Sequence, residues 1–336
     1  MRNDSDPRFD ALRRWIGARL GGARFTLAPA SEDASFRRYF RAALEDGRSF
    51  VAMDAPPGKE DCAPFLRVGA LLREAGVHAP EVHAQDLAQG FLLLADLGTT
   101  SYLDALNDGS AAALFRDATE ALIRWQLASR PNVLPDYDRA LLRREMELFP
   151  EWYLGRHLNF SLSSSFNQDL ERIFQLLEAK ALSQPRVFVH RDYMPRNLMV
   201  SEPNPGILDF QDAVHGPITY DVISLFKDAF ISWEEEQILD WVIRYWEKAK
   251  KAGLPVRSDF GEYFRDLEWM GLQRHLKVLG IFTRIHYRDG KPHYLADTPR
   301  FMNYVRETAV RYSTLKPLLR LLDELENRSA QIGHAS

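Results

Sequence analysis

The chain has 336 residues, 46% hydrophobic and 27% charged, a globular composition that excludes a disordered tract or a fibre. Lys and Arg total 43 against 47 Asp and Glu, and the resulting net charge of −4 argues against wholesale nucleic-acid binding. One cysteine, Cys62, excludes an intrachain disulfide. Apolar runs such as Phe91–Ala95 fall far short of the roughly 20 residues needed to span a bilayer.

At about 150 residues per domain, this length predicts two domains or lobes. Met1–Asp6 contains no apolar h-region, so no secretory signal is expected and a cytoplasmic location is. From Pro7 to Leu20, Phe9, Leu12, Ile16 and Leu20 keep helical spacing, with Asp6 as N-cap and Gly21-Gly22 as the stop. Arg24–Leu27 and Phe36–Ala42 read as strands, and Asp46-Gly47 is a hairpin turn leading into a third strand, Ser49–Met53. A helix is expected over Pro64–Ala75, then strands at Val82–Ala84 and Phe91–Leu94. After Gly98 the pattern turns helical, at Ala111–Ala128, Arg139–Leu158 and Leu170–Leu182. A β-like island follows, comprising Val187–Val189, Leu198–Val200, a Pro-Asn-Pro-Gly turn and Ile207-Leu208, before helices resume at Tyr220. The layout is α+β: a small β-rich N-lobe, residues 1–97, and a large mostly helical C-lobe, 98–336. Two lobes imply a cleft, the default place for a ligand.

The island carries the chemistry. His190-Arg191-Asp192-Tyr193-Met194-Pro195-Arg196-Asn197 matches H-R-D-x-x-x-x-N, the loop in which kinases set an aspartate against the acceptor hydroxyl and an asparagine on magnesium. Seventeen positions past Asp192, Asp209 leaves a short strand. A hairpin between Leu198 and Leu208 would bring Asn197 and Asp209 together, offering an amide oxygen and a carboxylate to a hard cation. Asp192 is therefore the candidate catalytic residue, and Asn197 and Asp209 the candidate metal ligands. His190 reads as a packing residue, and Asp212 as either a metal contact or a helix cap.

These motifs make the chain similar to the aminoglycoside-phosphotransferase and choline-kinase-like small-molecule kinases. The Tyr220-Asp221-Val222-Ile223-Ser224-Leu225 helix start and the Phe91–Gly98 segment, which resembles the family's hinge, extend the likeness over most of the chain. It implies a protein-kinase-like two-lobed fold, ATP and Mg2+ as cofactors, adenine at the hinge backbone of Asp96 and Leu97, and Asp221 as a brace beneath the catalytic loop. Ser31–Arg41, Met53–Pro57 and Gln273–Phe282 resemble a narrower group, the bacterial N-acetylmuramate/N-acetylglucosamine anomeric kinases of cell-wall recycling. That resemblance implies phosphorylation of the C1 hydroxyl of the amino sugar, giving the sugar 1-phosphate.

Two features depart from the kinase pattern. No G-x-G-x-x-G loop is present; the loop from Ser31 to Ser35 would instead offer amides and hydroxyls to phosphate. The third strand carries Met53 and Asp54 where a phosphate-pairing lysine is usual. Arg37, Arg38 and Arg41 are candidates to replace it, using a planar fork suited to phosphate oxygens, with Lys59 as a rival and a solvated strand face as the alternative.

For the acceptor, residues 265–300 hold seven Lys or Arg against four Asp or Glu, a surplus suited to a carboxylate-bearing sugar. Arg274 and Arg284 are the candidates there, on a face that is otherwise merely solvated. Glu145 and Trp152 are candidates to bond or stack on the sugar, or simply pack. Alternatives are another small-molecule kinase acting on an amino alcohol, and a nucleotide-binding pseudokinase. The small molecule is the only partner expected: neither nucleic acid nor membrane is.

Overall fold

A computed structural model describes residues 6–31 and 36–334. In chain order the elements begin with helix α1 (Pro7–Arg19), strands β1 (Phe25–Ser31), β2 (Arg38–Leu44) and β3 (Ser49–Asp54), and helix α2 (Ala63–Glu74). Strands β4 (Val82–Asp86) and β5 (Phe91–Ala95) and helices α3 (Tyr102–Ala105) and α4 (Ala111–Leu127) follow. Next come α5 (Arg139–Met146), a π-helical segment (Phe149–His157), α6 (Ser164–Leu182), and strands β6 (Arg186–Val189), β7 (Leu198–Met199), β8 (Gly206–Ile207) and β9 (Val214–Pro217). Helices α7 (Tyr220–Phe226), α8 (Glu235–Lys251), α9 (Phe260–Asp289), α10 (Thr298–Arg311) and α11 (Lys316–His334) complete the chain. Among the described residues no helix is long and apolar enough to cross a membrane.

The chain divides into two compact units. The first holds the residues up to Trp125 together with Arg196–Asp212; the second holds Gln126–Pro195 and the residues from Ala213 onward. In the first unit, an antiparallel sheet runs β1-β2-β3-β5-β4. Asp6 starts α1 by accepting the Arg8 and Phe9 amides, each at 3.0 Å. The helix then buries Leu12, Trp15 and Ile16 against Ala42, Ala52, Phe91 and Leu93 of the sheet. The β7–β8 hairpin pairs Leu198 with Ile207 and Met199 with Gly206. It is tied into this unit by the Ile207 amide on the His78 carbonyl at 2.7 Å and the Val200 amide on the Thr100 carbonyl at 2.9 Å.

In the second unit, β6 pairs antiparallel with β9, and one large apolar core gathers side chains of the π-helical segment, α6, α9, α10 and α11. Helix α9 is its axis, with most residues from Tyr263 to Ile285 buried.

Several boundaries differ from expectation. The predicted helix over 139–158 is two elements, α5 and a π-helical segment with Pro150 in its first turn, where the missing amide removes a regular helical bond. Helix α6 starts before Leu170 because Ser163 caps it, accepting the Phe166 amide at 3.2 Å. Strand β2 starts at Arg38 rather than Phe36, whose side chain is 60% exposed.

Candidate active site

The His190–Asn197 loop leaves β6 and enters β7, and the division between the two compact units falls within it, after Pro195. In the second unit, the fully buried Asp221 opens α7 and accepts the His190 amide at 2.7 Å and the Arg191 amide at 3.0 Å. This is the bracing role that the resemblance implies. Burial pushes the Asp221 carboxyl up to about 7, with the nearby Asp192 charge adding to the effect and the two amides and Arg274 opposing it. His190 is buried and meets the Tyr193 ring edge-on at 5.6 Å, the packing role expected of it. The Asp192 amide donates to the His190 ring at 3.3 Å, and the half-buried Asp192 follows a residue in an uncommon conformation, Arg191 at φ 77°.

The Arg191 side chain turns inward to Glu145, which it meets in a short ion pair. Glu145 is 5% exposed, also accepts from the Tyr137 hydroxyl and from Gln273 Nε2 at 3.2 Å, and is ion-paired with Lys277 Nζ at 3.2 Å. Burial favours the neutral acid, but Lys277 and Arg191, with the Tyr137 hydroxyl, outweigh it and hold the carboxyl at about 2. Lys277 donates to the Tyr220 hydroxyl at 2.9 Å. Burial pulls its ammonium down, while Glu145, Tyr220 and Asp192 together keep it above its usual value. The sequence singled out Glu145 but not the group that surrounds it. Lys277 interrupts the apolar series Leu272, Leu276, Leu279, and an ionisable residue beside such a stripe was the available signal.

In the first unit, the hairpin sets Asn197 beside Asp209, with the Asn197 amide nitrogen 3.4 Å from Asp209 Oδ2 and the Leu208 amide on the Asn197 carbonyl at 2.9 Å. Asp209 has φ 60° and accepts from Gln211 Nε2 at 2.8 Å. The next residue, Phe210, is fully buried and stacks at a tilt on Phe65 of α2 at 4.7 Å, which fixes the segment. An asparagine side chain beside a carboxylate brings together two oxygen-bearing groups of the kind a hard divalent cation takes, with the amide nitrogen the end that faces Asp209 here. Asp212 is exposed.

The candidate phosphate arginines all have carboxylate partners. Arg38 faces Asp54 across β2 and β3 and reaches it with Nε at 3.0 Å and Nη2 at 2.5 Å; Arg8 of α1 reaches the same carboxylate at 2.5 Å. Asp54 is fully buried, and Arg38 also pairs with Asp6. Arg37 is paired with Glu60 at 3.6 Å. Arg41 grips Asp96 at 2.6 and 3.0 Å and the Gly98 carbonyl at 2.8 Å. Burial alone would raise the Asp96 carboxyl, yet the Arg41 fork and neighbouring donors hold it below its usual value. Each of these arginines is thus engaged with a carboxylate as well as solvent, and a phosphate would compete with carboxylates for them. Lys59 lies over the exposed Phe36 ring at 4.5 Å. Leu97 is buried, Ser31 ends β1, and Ser35 lies outside the described residues.

On the acceptor side, the expected basic surface of α9 needs correction. Arg274 is 2% exposed and Lys277 6%, because other elements of the unit enclose this helix. Arg284 and Trp152 are half-buried. Burial lowers the Arg284 pKa, with Arg288 adding to the effect.

A family model described as "Phosphotransferase enzyme family" matches residues 26–258. The chain is 57% identical over 330 residues to the N-acetylmuramate/N-acetylglucosamine kinase of Pseudomonas aeruginosa, covering 95% of this chain and 97% of that one. It is 49% identical over 318 residues to the protein of the same name from Neisseria meningitidis serogroup B, covering 94% and 95% respectively. Among solved structures, it is similar to a choline/ethanolamine kinase family protein from Mesorhizobium loti, with a TM-score of 0.60, 15% identity and coverage of 94% of this chain and 99% of that one. The aminoglycoside phosphotransferase APH(2″)-IIa, in a gentamicin complex, gives a TM-score of 0.59 at 14% identity, covering 90% and 97%. These structural likenesses establish a shared protein-kinase-like fold. Since the family model takes in most of the chain, and the two named relatives align with it over nearly their full lengths, this protein belongs to the phosphotransferase enzyme family.

Proposed function

We propose that the protein is an ATP- and Mg2+-dependent sugar kinase. It phosphorylates the anomeric C1 hydroxyl of N-acetylmuramate, N-acetylglucosamine or both, acting in the cytoplasm on sugars recycled from peptidoglycan. The observation that carries this reading is the 57% identity, over 95% of the chain, to a relative named for those two sugars. The braced loop bearing Asp192 supports a transfer reaction in particular.

In this reading the C1 oxygen attacks the γ-phosphorus, the bond from that phosphorus to the β,γ-bridging oxygen breaks, and ADP leaves. An anomeric hydroxyl is more acidic than an ordinary alcohol, so Asp192 chiefly orients the attacking oxygen and takes its proton late. Positioning and charge neutralisation supply most of the catalysis. Asn197 and Asp209 would hold Mg2+, which offsets phosphate charge when bound. Asp96 and Leu97 remain the candidate adenine backbone, Arg37 and Arg38 the candidate phosphate contacts, and Trp152 and Arg284 the candidate sugar contacts. The test is a panel of amino sugars with labelled ATP, followed by NMR assignment of the phosphorylated carbon. Label on C1 of either sugar supports the proposal; label on C6, or transfer only to aminoglycosides or amino alcohols, refutes it.

A further inference from the structure

We propose that Glu145 is a positioning residue for Asp192, acting through Arg191, with Lys277 as a second basic partner of the buried Glu145 carboxyl. The inference rests on the reading of Asp192 as the acceptor-orienting carboxylate, and adds a role that the sequence motif does not contain.

Arg191 precedes Asp192 and holds φ 77°, a backbone region that side-chain-bearing residues rarely adopt. Restraints on both its main chain and its side chain keep it there. Asp221 takes its amide at 3.0 Å, and Glu145 takes its guanidinium. The Arg191 side chain is also stacked over the Tyr137 ring at 5.9 Å, and Tyr137 itself donates to Glu145. The loop is thus gripped at main chain and side chain by two different buried carboxylates. Burying a carboxylate is costly unless pairing and further hydrogen bonds compensate it, and Lys277, at 3.2 Å, is a second cation beside Arg191. Lys277 is 6% exposed and engaged with Glu145 and Tyr220, which makes it an internal residue rather than a sugar contact. Glu145 is therefore reassigned from the acceptor to the loop.

The test is a double-mutant cycle of Glu145→Gln and Arg191→Gly, because glycine adopts positive φ without strain. Glu145→Gln is expected to lower kcat on the order of a hundredfold while both KM values stay within about threefold. In the Arg191→Gly background the same change is expected to alter kcat less than about threefold. Unchanged kcat in folded Glu145→Gln, or an equal loss in both backgrounds, overturns the proposal. If Glu145→Gln does not fold, Glu145→Asp takes its place in the cycle, keeping the charge but withdrawing it from Arg191. Amide hydrogen exchange over 190–194 supplies a readout independent of turnover: it should quicken in the Glu145 variant, and no change there counts against the proposal. Failure of the underlying reading has a separate signature, namely Asp192→Asn keeping wild-type turnover.

Discussion

Gly280 lies against the backbone of Leu148 so closely that an added Cβ would stand 2.4 Å from the Leu148 carbonyl carbon. The contact seats α9 on the junction between α5 and the π-helical segment. Glu145 meets Lys277 on one side of it, and His157 Nδ1 meets the Tyr287 hydroxyl at 3.2 Å on the other. The two stretches therefore run alongside each other in the same direction, in register. Gly280→Ala is expected to destabilise the protein by about 1–3 kcal/mol, because backbone cannot yield as a flexible side chain can. Thermal or urea unfolding measures this, and a variant as stable as the parent would show that the junction is soft.

Asp192→Asn is expected to lower turnover about 10²–10⁴-fold, the range associated with losing a positioned acid–base group, with ATP affinity little changed. Steady-state kinetics and calorimetric ATP titration give the two numbers separately.

Asp209→Asn is expected to fold, since Asn tolerates the left-handed backbone that Asp209 occupies at φ 60°. It should raise the Mg2+ concentration needed for half-maximal turnover and weaken any Mg2+-ATP protection against thermal unfolding. An unchanged Mg2+ dependence removes Asp209 from the ligand set.

Glu145 imposes a pH dependence on stability. Its folded carboxyl titrates near 2, below the 4.5 of an unperturbed glutamate, so its contribution is complete above about pH 4.5 and is lost as pH falls toward 2. The stability difference between the parent and Glu145→Gln should therefore be widest at neutral pH and shrink below about pH 4.5. Asp221 works in the opposite sense, its raised pKa removing stability as pH climbs through about 7. Subtracting the variant from the parent cancels that contribution. Urea unfolding across pH 3–7 reads the difference directly.

Arg38→Ala should destabilise more than Arg37→Ala, because the Asp54 side chain is 0% exposed and Glu60's is 17%. Stripping one cation from a buried carboxylate costs up to about 3–5 kcal/mol, less here since Arg8 remains. Measuring ATP affinity of both variants also tests the phosphate role: no loss in either, with loss in Lys59→Ala, shifts that role to Lys59.

The sheet of the first unit and the chemical loop were legible because both are local patterns: alternating or continuous apolar runs bounded by turns, and a fixed spacing from Asp192 through Asn197 to Asp209. What escaped was tertiary. Strand β9 contains Gly216 and Pro217 and gains its strand character by pairing with β6, Arg186 to Pro217, so nothing within it announces a strand. Arg274 read as part of an accessible basic face because charge on a helix is usually exposed, and only the surrounding elements reveal that it is enclosed. Pro150 was a local signal of a break that the reading of one helix over 139–158 passed over.

Asp6 both caps α1 and pairs with Arg38, while Arg8, two positions on, reaches the buried Asp54 at the end of β3. The first turn of α1 is thus wired into the sheet. A fusion partner or cleavage scar that displaced this turn would be felt at the far end of a central strand, as an acid stripped of part of its compensation.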